Sequence, residues 1–448
     1  MTLPNIFWKN TMYYILPIFT IFIVIGALIN EYTKRGFTLV FMSQIWFLVI
    51  YCLAPIAIIS SYDEVASKAF NLNKNDVESF YVQLLILLFY FSFIFGTNLG
   101  NHYKGFLKIS VSNKNIRRLC YTLVLIGLFS MGVFLSKYGG ISYVLSNMSQ
   151  IRSGQADVKS YLGAFFLGFY KFVNLSFFIC FAKILIDNSK QSTSFKFYFL
   201  INLMLSMFGL YLSAGRENGI SFLISIIVIY MAVKKRIPLK LSIFFILFTV
   251  FYIVFGKTLV FALYDESFDI NDFFNTRFYY MILDSFNIVM VEFSHQYMSI
   301  VNFIKVDGNF QYFSDYYIWM LTPFKLIGIN LGDSISYYNT YIIMGWWESI
   351  IPPGPVAFGY MSLGVLGVFI HGTIVGYIFR AIDSIFNTNN PVKIDPVMVG
   401  FYGMLVPTFT YIMSNSDLTL FFQNRLAQLV FFLALVFIYK ARYLIKRY

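Results

Sequence analysis

Long apolar runs recur along almost the whole of this sequence and leave few alternatives for its fold. A helix needs about 20 consecutive apolar residues to cross the hydrocarbon core of a bilayer, and a chain there must satisfy its backbone hydrogen bonds internally. The sequence has eleven such runs, at residues 12–30, 37–60, 79–99, 118–138, 160–186, 195–213, 217–233, 239–262, 356–380, 397–414 and 425–442. We therefore predict an all-α polytopic membrane protein with about eleven transmembrane helices.

The composition agrees with that prediction and excludes other classes of protein. Of the 448 residues, 58% are hydrophobic and 12% are charged, against about 25% charged residues in a typical soluble domain. The net charge of +12 lies mainly in short connections between the apolar runs. Membrane orientation produces that pattern, so no nucleic-acid partner is expected. The three cysteines lie inside apolar runs and are expected to be small core residues rather than a disulfide set.

One long segment, residues 264–355, interrupts the apolar runs. It contains ten carboxylate residues, only three basic residues and three of the five tryptophans. Placing the N-terminus outside puts most basic connections and the C-terminus in the cytoplasm and this acidic segment outside, as the positive-inside rule requires. The predicted organisation is transmembrane helices 1–8 in residues 1–263, a large external loop in 264–355, and transmembrane helices 9–11 in 356–448.

Part of this loop has the periodicity of an amphipathic helix. Between residues 280 and 304, polar side chains recur on one side and apolar side chains on the other. We expect a helix that lies against the outer membrane surface or covers the end of the bundle. The Pro-Pro-Gly-Pro sequence at 352–355 marks the return of the chain to the membrane.

Several cationic residues are predicted on the outer side, where the topology signal disfavours them. They are Arg152, Lys171, Arg216, Lys257, Arg277 and Arg425. Arginine offers a planar fork of donors that suits phosphate oxygens, so an anion site and contacts to lipid headgroups are the two explanations. Arg216 lies in a turn of small residues beside Glu217, with which it can pair. Lys171 falls within the fifth predicted span, where a lysine needs a cavity or a partner.

Other residue types are candidates for acid–base chemistry and for sugar binding. The acid–base candidates are His295, Asp284, Glu292, Glu348 and Glu217. The candidates for stacking on sugars, or for an interfacial aromatic belt, are Trp319, Trp346, Trp347 and Tyr360. His371 lies near three glycines in the ninth predicted span, and helix packing explains it. The sequence has no Asp-x-Asp pair, P-loop, G-x-S-x-G motif or Cys/His cluster, so no metal or soluble cofactor is expected.

Three segments resemble the pattern of bacterial Wzy-type O-antigen and oligosaccharide repeat-unit polymerases. They are GWWESIIPPGPVAFGYMSLGVLGVFIHGTIVGYIFR at 345–380, the upstream YIWMLTPFKLIGINLG, and the arginine turn SAGRENG. In that family, a Pro-Pro followed by a span rich in aromatic residues and glycine returns to the membrane after a long periplasmic loop. The resemblance covers residues 205–380 in detail and the remainder by hydropathy.

That resemblance implies a metal-independent glycosyltransferase of the bacterial inner membrane, which acts on the periplasmic face and contacts membrane lipid. Its substrate is an oligosaccharide unit carried on undecaprenyl pyrophosphate, and a chain-length regulator protein is its expected partner. A hydroxyl at the non-reducing end of the incoming unit attacks the anomeric carbon of the growing chain, and undecaprenyl pyrophosphate leaves.

The resemblance also suggests roles for individual residues of this sequence. The pyrophosphate role falls on Arg216, Arg277 and Arg425, with Lys171 and Arg152 as further candidates. The base stays open between His295, Glu348 and Glu217.

Three alternatives to the polymerase stay open. An O-antigen ligase has similar chemistry with a different acceptor, and the Pro-Pro return favours the polymerase over it. Polyprenyl-phosphate-dependent glycosyltransferases resemble one another in an acidic pair in the first external loop, where this chain has Asp63 and Glu64. A flippase for the same lipid-linked units is expected to have repeated halves and charges spread over many spans, and neither is evident in this sequence.

Overall fold

A computed structural model gives the fold of the chain. It describes residues 3–60, 74–101, 112–153, 160–187, 193–213, 216–236, 293–318, 334–345, 350–386 and 395–445, with isolated residues between 239 and 255 and at 289 and 320. Within these ranges the regular structure is helical and no β-strand occurs. The predicted all-α class is confirmed for this part of the chain.

The helices vary from one turn to 33 residues in length. In chain order they are α1 (Leu3–Arg35), α2 (Leu39–Phe47), α3 (Ala54–Ser60), α4 (Lys74–Val77), α5 (Phe80–Gly100), α6 (Asn113–Lys137), α7 (Ile141–Ser153), α8 (Tyr161–Leu167), α9 (Lys171–Ile186), α10 (Thr193–Leu212), α11 (Arg216–Lys234), α12 (His295–Val306), α13 (Ile335–Met344), α14 (Gly354–Phe386), α15 (Pro396–Thr410), α16 (Leu418–Asn424) and α17 (Leu426–Ile445). A π-helical stretch, Leu48–Leu53, joins α2 to α3, and a 3-10 turn, Gly168–Tyr170, leads into α9.

Within the described ranges, nine helices are long and apolar enough to cross a membrane. They are Tyr14–Arg35, Leu39–Ile59, Phe80–Gly100, Asn113–Lys137, Phe165–Ile186, Phe195–Leu212, Glu217–Lys234, Gly354–Phe386 and Pro396–Met413. Each overlaps one predicted span, so the multi-pass membrane character is confirmed. The predicted span 239–262 lies mostly outside the described residues. The predicted span 425–442 corresponds to α17, whose described apolar part, Leu426–Phe437, is shorter than a full crossing.

Side-chain caps set where some of these helices begin. The Ser79 hydroxyl accepts a hydrogen bond from Val82 N at the start of α5. Asp395 accepts from Val397 N at the start of α15, with Pro396 in the first helical position. Both arrangements satisfy N–H groups that have no partner within the helix, and proline has no N–H to satisfy there.

Glycines bring α5 and α14 into backbone contact. A Cβ added to Gly376 would overlap Phe93 O, and one added to Gly100 would overlap the side chain of Arg380. Since later residues of α5 meet later residues of α14, the two helices run in the same direction. Small residues allow this close approach, which is a common basis of helix packing in membranes.

The first part of α14 folds back on the rest of that helix. Leu363 and Gly364 have non-helical dihedral angles, with φ of 59° at Gly364. A Cβ added to Gly359 would come within 3 Å of Gly367 O. Residues eight apart in a straight helix are separated by about 12 Å along its axis, so the backbone has to turn sharply between these two glycines.

This turn makes a helical hairpin with a short arm, 354–362, and a long arm, 365–386. The predicted ninth span, 356–380, therefore contains the break, and its first residues form the short arm. The long arm is long enough to cross the bilayer by itself.

Three helices, α9, α11 and α15, pack together and carry the candidate site. The rings of Phe178 in α9 and Phe222 in α11 have centroids 5.1 Å apart. Gly400 of α15 lies against the backbone of Ile179, and Gly403 lies against α11. The two glycines thus let α15 approach both neighbours closely.

A buried network of charges joins four helices at the end of the bundle where α14 finishes. Arg380 makes a bidentate ion pair with Glu31 of α1, with N–O distances of 2.9 and 2.6 Å. Asp383 accepts hydrogen bonds from Leu39 N of α2 (2.9 Å) and from Tyr402 Oη of α15 (2.7 Å). The bidentate geometry and the extra donors offset the cost of burying these charges.

The described part of the long loop is packed into the helical bundle. In α12, every residue from Gln296 to Phe303 is buried. Tyr297 Oη accepts a hydrogen bond from Gln83 Nε2 of α5 at 3.1 Å. On the polar side of α12, Asn339 Nδ2 of α13 donates to Ser299 Oγ at 2.9 Å. Both sides of α12 therefore contact protein.

The sequence left two placements open for this helix, the outer membrane surface and the end of the bundle, and α12 packs against the bundle. Periodicity predicts two unlike faces, and here the polar face is covered by α13 instead of by water. Residues 280–288 and 290–292 of the predicted helix lie outside the described residues.

Candidate anion-binding cleft

Lys171 is a buried cation near one end of the apolar helix Phe165–Ile186. It is the first residue of α9 and is 6% exposed, and Asn174, one turn later, is also buried. A buried ammonium group is costly unless polar groups or charges compensate for the lost water. The neighbours of Lys171 therefore determine what it does.

Arg425 is the second buried cation and lies between α16 and α17, with 3% of its surface exposed. Its guanidinium carbon is 5.4 Å from the centroid of the Tyr411 ring, which is within the range of a cation–π contact. Arg425 Nη2 forms an ion pair with Oε1 of Glu217, which lies in the first turn of α11. Arg425 Nε is buried and has no hydrogen-bond partner among the described residues.

These two cations line one cleft between α9, α11, α15 and α17. The cleft is open at its mouth and has an accessible volume of about 30 Å³, which is room for about two water molecules. Its lining consists of Tyr170, Lys171, Asn174, Phe178, Asn218, Ser221, Phe222, Ser225, Met404, Pro407, Thr408, Arg425 and Gln428. The first residues of both α9 and α11 line the cleft, so both helices begin at the site and run away from it in the same direction.

Polar atoms of the cleft lack partners within the described part of the chain. Besides Arg425 Nε, they include two amide oxygens, Asn174 Oδ1 and Gln428 Oε1. Buried polar groups are normally hydrogen-bonded, so these atoms indicate a ligand with both acceptors and donors. An anionic oxygen suits the guanidinium fork, and hydroxyl groups suit the amide oxygens.

Hydrogen bonds connect the cleft to the loop helices. Gln296 Nε2 of α12 donates to Ser414 O at 2.8 Å. The next residue, Asn415, donates from Nδ2 to Tyr411 Oη at 2.9 Å, and this is the ring that contacts Arg425. Two hydrogen bonds and the Tyr411 ring therefore lie between α12 and Arg425.

Two buried carboxyl groups, Asp315 and Asp417, attach the loop to α16. Asp315 Oδ2 accepts hydrogen bonds from Leu418 N (2.6 Å) and Thr419 N (3.1 Å), and Asp417 accepts from Ser336 Oγ of α13. Burial and the nearby Asp417 raise the pKa of Asp315 to about 6. Burial also raises the pKa of Asp417. Neither carboxyl group lines the cleft.

His371 connects the same loop segment to the long arm of the α14 hairpin. Its Nδ1 is 2.9 Å from Tyr316 Oη and its Nε2 is 3.4 Å from Ser416 Oγ. The adjacent Gly372 lies against Phe89 O of α5. Helix packing thus explains the glycine, whereas hydrogen bonds to the loop explain the histidine.

The structure brings together three of the site residues predicted from sequence. Lys171 and Arg425 line the cleft, and Glu217 contacts Arg425. Arg216 is the first residue of α11, directly before Glu217 and two residues before Asn218 of the cleft lining. The side chain of Arg216 lies outside the described part.

The other candidates lie elsewhere or outside the described residues. His295 begins α12 and is not part of the cleft lining. Tyr360 contacts the rings of Tyr81 and Phe303, with centroids 6.1 and 5.9 Å away, and does not line the cleft. The backbone of Arg152 is in α7, but its side chain is outside the described part. Also outside it are Arg277, Trp319, Trp346, Trp347, Glu348, Lys257, Asp284, Glu292, Asp63 and Glu64.

Most polar residues of the cleft were not predicted from the sequence. Asn218, Ser221 and Ser225 follow one another at helical spacing in α11, and Gln428 follows Arg425 by three residues. Polar residues three or four apart lie on one face of a helix. Polar residues at this spacing inside an apolar run are the sequence signal that could have identified the cleft residues.

Among the described residues, no group of three or more His, Cys, Asp or Glu side chains is placed to hold a metal ion. The chain matches no protein-family model, no curated protein and no solved structure. Its function therefore has to be inferred from the cleft and from the sequence patterns.

Proposed function

We propose that the protein is a membrane glycosyltransferase that joins oligosaccharide repeat units carried on undecaprenyl pyrophosphate, and that the cleft binds the pyrophosphate and the adjoining sugar. One observation carries the proposal: Lys171 and Arg425 share a small cleft with unmatched amide oxygens. A glycosyl diphosphate presents anionic oxygens for the cations and hydroxyl groups for the amides.

The position of the cleft agrees with a lipid-linked substrate. The cleft lies where α9 and α11 begin, whereas Lys183 and Lys234 lie near the opposite ends of these helices. A polyprenyl carrier keeps its chain in the bilayer and its diphosphate near the headgroups, at the ends of the apolar helices. By the positive-inside rule the cleft end is expected on the outer side, which in this proposal is the periplasmic face of a bacterial inner membrane.

In the proposed reaction, a hydroxyl oxygen of the incoming unit forms a bond to the anomeric carbon of the growing chain. The bond from that carbon to the pyrophosphate oxygen breaks, the hydroxyl proton passes to a base, and negative charge develops on the leaving pyrophosphate. Arg425 and Lys171 stabilise that charge, and they do so more strongly in a site with little water than they would in solution.

The base and the sugar contacts stay predictions. Glu217 contacts Arg425 and therefore lies at the proposed diphosphate site, whereas Glu348 lies outside the described residues. His295 lies next to Gln296, whose side chain donates a hydrogen bond to Ser414 O. The following residue, Asn415, donates a hydrogen bond to Tyr411, whose ring contacts Arg425. Tyr360 belongs to a separate aromatic cluster, which suits a sugar distant from the reacting bond. A chain-length regulator remains the expected partner from the resemblance to Wzy-type polymerases.

An O-antigen ligase is the second candidate because it uses the same kind of donor, which the cleft would bind in the same way. Analysis of surface polysaccharide from a deletion strain, with and without the gene, separates the two. If the deletion leaves core carrying a single repeat unit and the gene restores a ladder, the protein polymerises. If the deletion strain makes core without any repeat unit, the protein is not the polymerase. Carrier-linked units then accumulate on the periplasmic side if the protein is a ligase, or on the cytoplasmic side if it is a flippase.

Variants test whether the cleft performs the reaction. Arg425→Lys keeps the positive charge but loses the planar fork, so it should abolish the ladder. Arg117→Lys is the matched control, because Arg117 lies near the start of α6, 5.7 Å from the Phe195 ring, and does not line the cleft. Arg216→Ala should also abolish extension while leaving the protein level unchanged. A retained ladder at normal protein level removes the substituted residue from the site.

A further inference from the structure

Glu217 and Arg425 form an ion pair whose two side chains differ greatly in exposure. The Arg425 side chain is 4% exposed and the Glu217 side chain is 33% exposed. Arg425 is also held by Tyr411, whose ring lies against its guanidinium group. The carboxylate is therefore the member of the pair that can turn away into solvent, whereas the guanidinium group has to stay.

The ion pair occupies the edge of the fork that an anionic ligand needs. Arg425 Nη2 is in ion-pair contact with Glu217, and both Nη2 and Nε, within the same planar group, are buried without a hydrogen-bond partner among the described residues. A phosphate binds an arginine best through two adjacent N–H groups. With Glu217 in place, Arg425 can offer a ligand only part of that geometry.

Arg425 also needs a negative charge nearby when no ligand is bound. A buried guanidinium group without a counter-ion is strongly destabilising, and removing one member of a buried pair leaves that penalty unmet. Glu217 supplies the counter-charge from the first turn of α11, where the helix N-terminus favours a carboxylate. A ligand that brings its own negative charge makes this contribution unnecessary.

From this geometry we propose that Glu217 is a displaceable substitute for the substrate diphosphate: it pairs with Arg425 before the diphosphate binds and is released when the diphosphate binds. The inference rests on the proposed function and adds an exchange of ion-pair partners to it. Release also frees the carboxylate, which is one of the candidate bases of the proposed reaction.

The opposite arrangement makes a different prediction. If Glu217 kept its bond to Arg425 in the complex and oriented the fork, its removal would weaken binding of a diphosphate. If Glu217 competes with the diphosphate, its removal strengthens binding. The direction of the change in affinity therefore decides between displacement and orientation.

The test is calorimetric titration of the purified full-length protein with inorganic pyrophosphate. Glu217→Gln should bind it about two- to fivefold more tightly than the unsubstituted protein, since partly exposed ion pairs contribute modestly. The same variant should unfold at a lower temperature without ligand, because Arg425 has lost its counter-ion. Asp76→Asn is the matched control: Asp76 pairs with Lys305, its side chain is 28% exposed, and affinity should not change.

A double substitution checks that Glu217 acts through the arginine. In an Arg425→Gln background, Glu217→Gln should produce no further gain in affinity, as a double-mutant cycle requires for a contact between the two residues. Equal or weaker binding by Glu217→Gln alone would overturn the displacement inference and leave the proposed anion site intact. Absence of saturable pyrophosphate binding by the folded unsubstituted protein would overturn the proposed site and this inference with it.

Discussion

Replacing Lys171 by methionine should abolish chain extension without destabilising the protein. Lys171 is 6% exposed and shares its cleft with a second buried cation, Arg425. A lysine at the centre of a membrane helix costs about 3 kcal/mol, and less near a helix end, where Lys171 lies; methionine fills a similar volume at a packing cost below about 1.5 kcal/mol. The free energy of unfolding should therefore change by no more than about 1 kcal/mol, while a ligand of the leaving diphosphate is lost.

Two assays on the same variant test this combination. Thermal unfolding of the purified protein measures the change in stability, and the polysaccharide ladder in a deletion strain measures extension. Lys234→Met is the matched control: Lys234 Nζ donates to Leu185 O at 2.9 Å near the end of α11 remote from the cleft. The control should lose about 1 kcal/mol and keep the ladder. A stable Lys171→Met protein that still makes the ladder, or one that loses more than about 1 kcal/mol of stability, would refute the reasoning.

Two further predictions concern the fold. Gly376→Leu should lower the free energy of unfolding by about 2–3 kcal/mol because the new side chain meets Phe93 O. Gly132→Ala, which has open space around the added Cβ, should raise the free energy of unfolding by up to about 1 kcal/mol. Similar shifts in the unfolding temperature of both variants would contradict the α5–α14 contact. The pKa of Asp315 is about 6 in the folded protein and about 3.9 in an unfolded chain, so the folded state binds the extra proton between these values. The free energy of unfolding should therefore fall by up to about 3 kcal/mol as the pH rises from about 4 to 6. Asp315→Asn should flatten that dependence in thermal unfolding at several pH values, and an unchanged slope would contradict it.

Local sequence patterns predicted the helices that cross the membrane, because the requirement for apolar length acts residue by residue. The same reasoning drew attention to Lys171, an isolated cation in an apolar run. It could not place Lys171 beside Arg425, since that depends on how α15 packs between its neighbours. Gly400 and Gly403 permit this packing, but glycine in an apolar run has no single meaning in a sequence.

The helical hairpin and the burial of α12 could not be predicted from the sequence, for related reasons. Leu363 and Gly364 lie inside a continuous apolar run, so hydropathy alone does not reveal the turn between them. The periodicity of α12 shows that its faces differ but not what covers each face. Asp315 and Asp417 are distant in sequence, and only the fold brings their carboxyl groups together.

The most direct test of the account is chain extension by the purified protein in lipid vesicles, with undecaprenyl-pyrophosphate-linked repeat units as the sole substrate. The proposed function predicts products of several units, with one undecaprenyl pyrophosphate released for each linkage formed, and no products with Arg425→Lys. If the folded, unsubstituted protein forms no product longer than one unit, or if Arg425→Lys extends chains equally well, the proposed reaction at this cleft is contradicted.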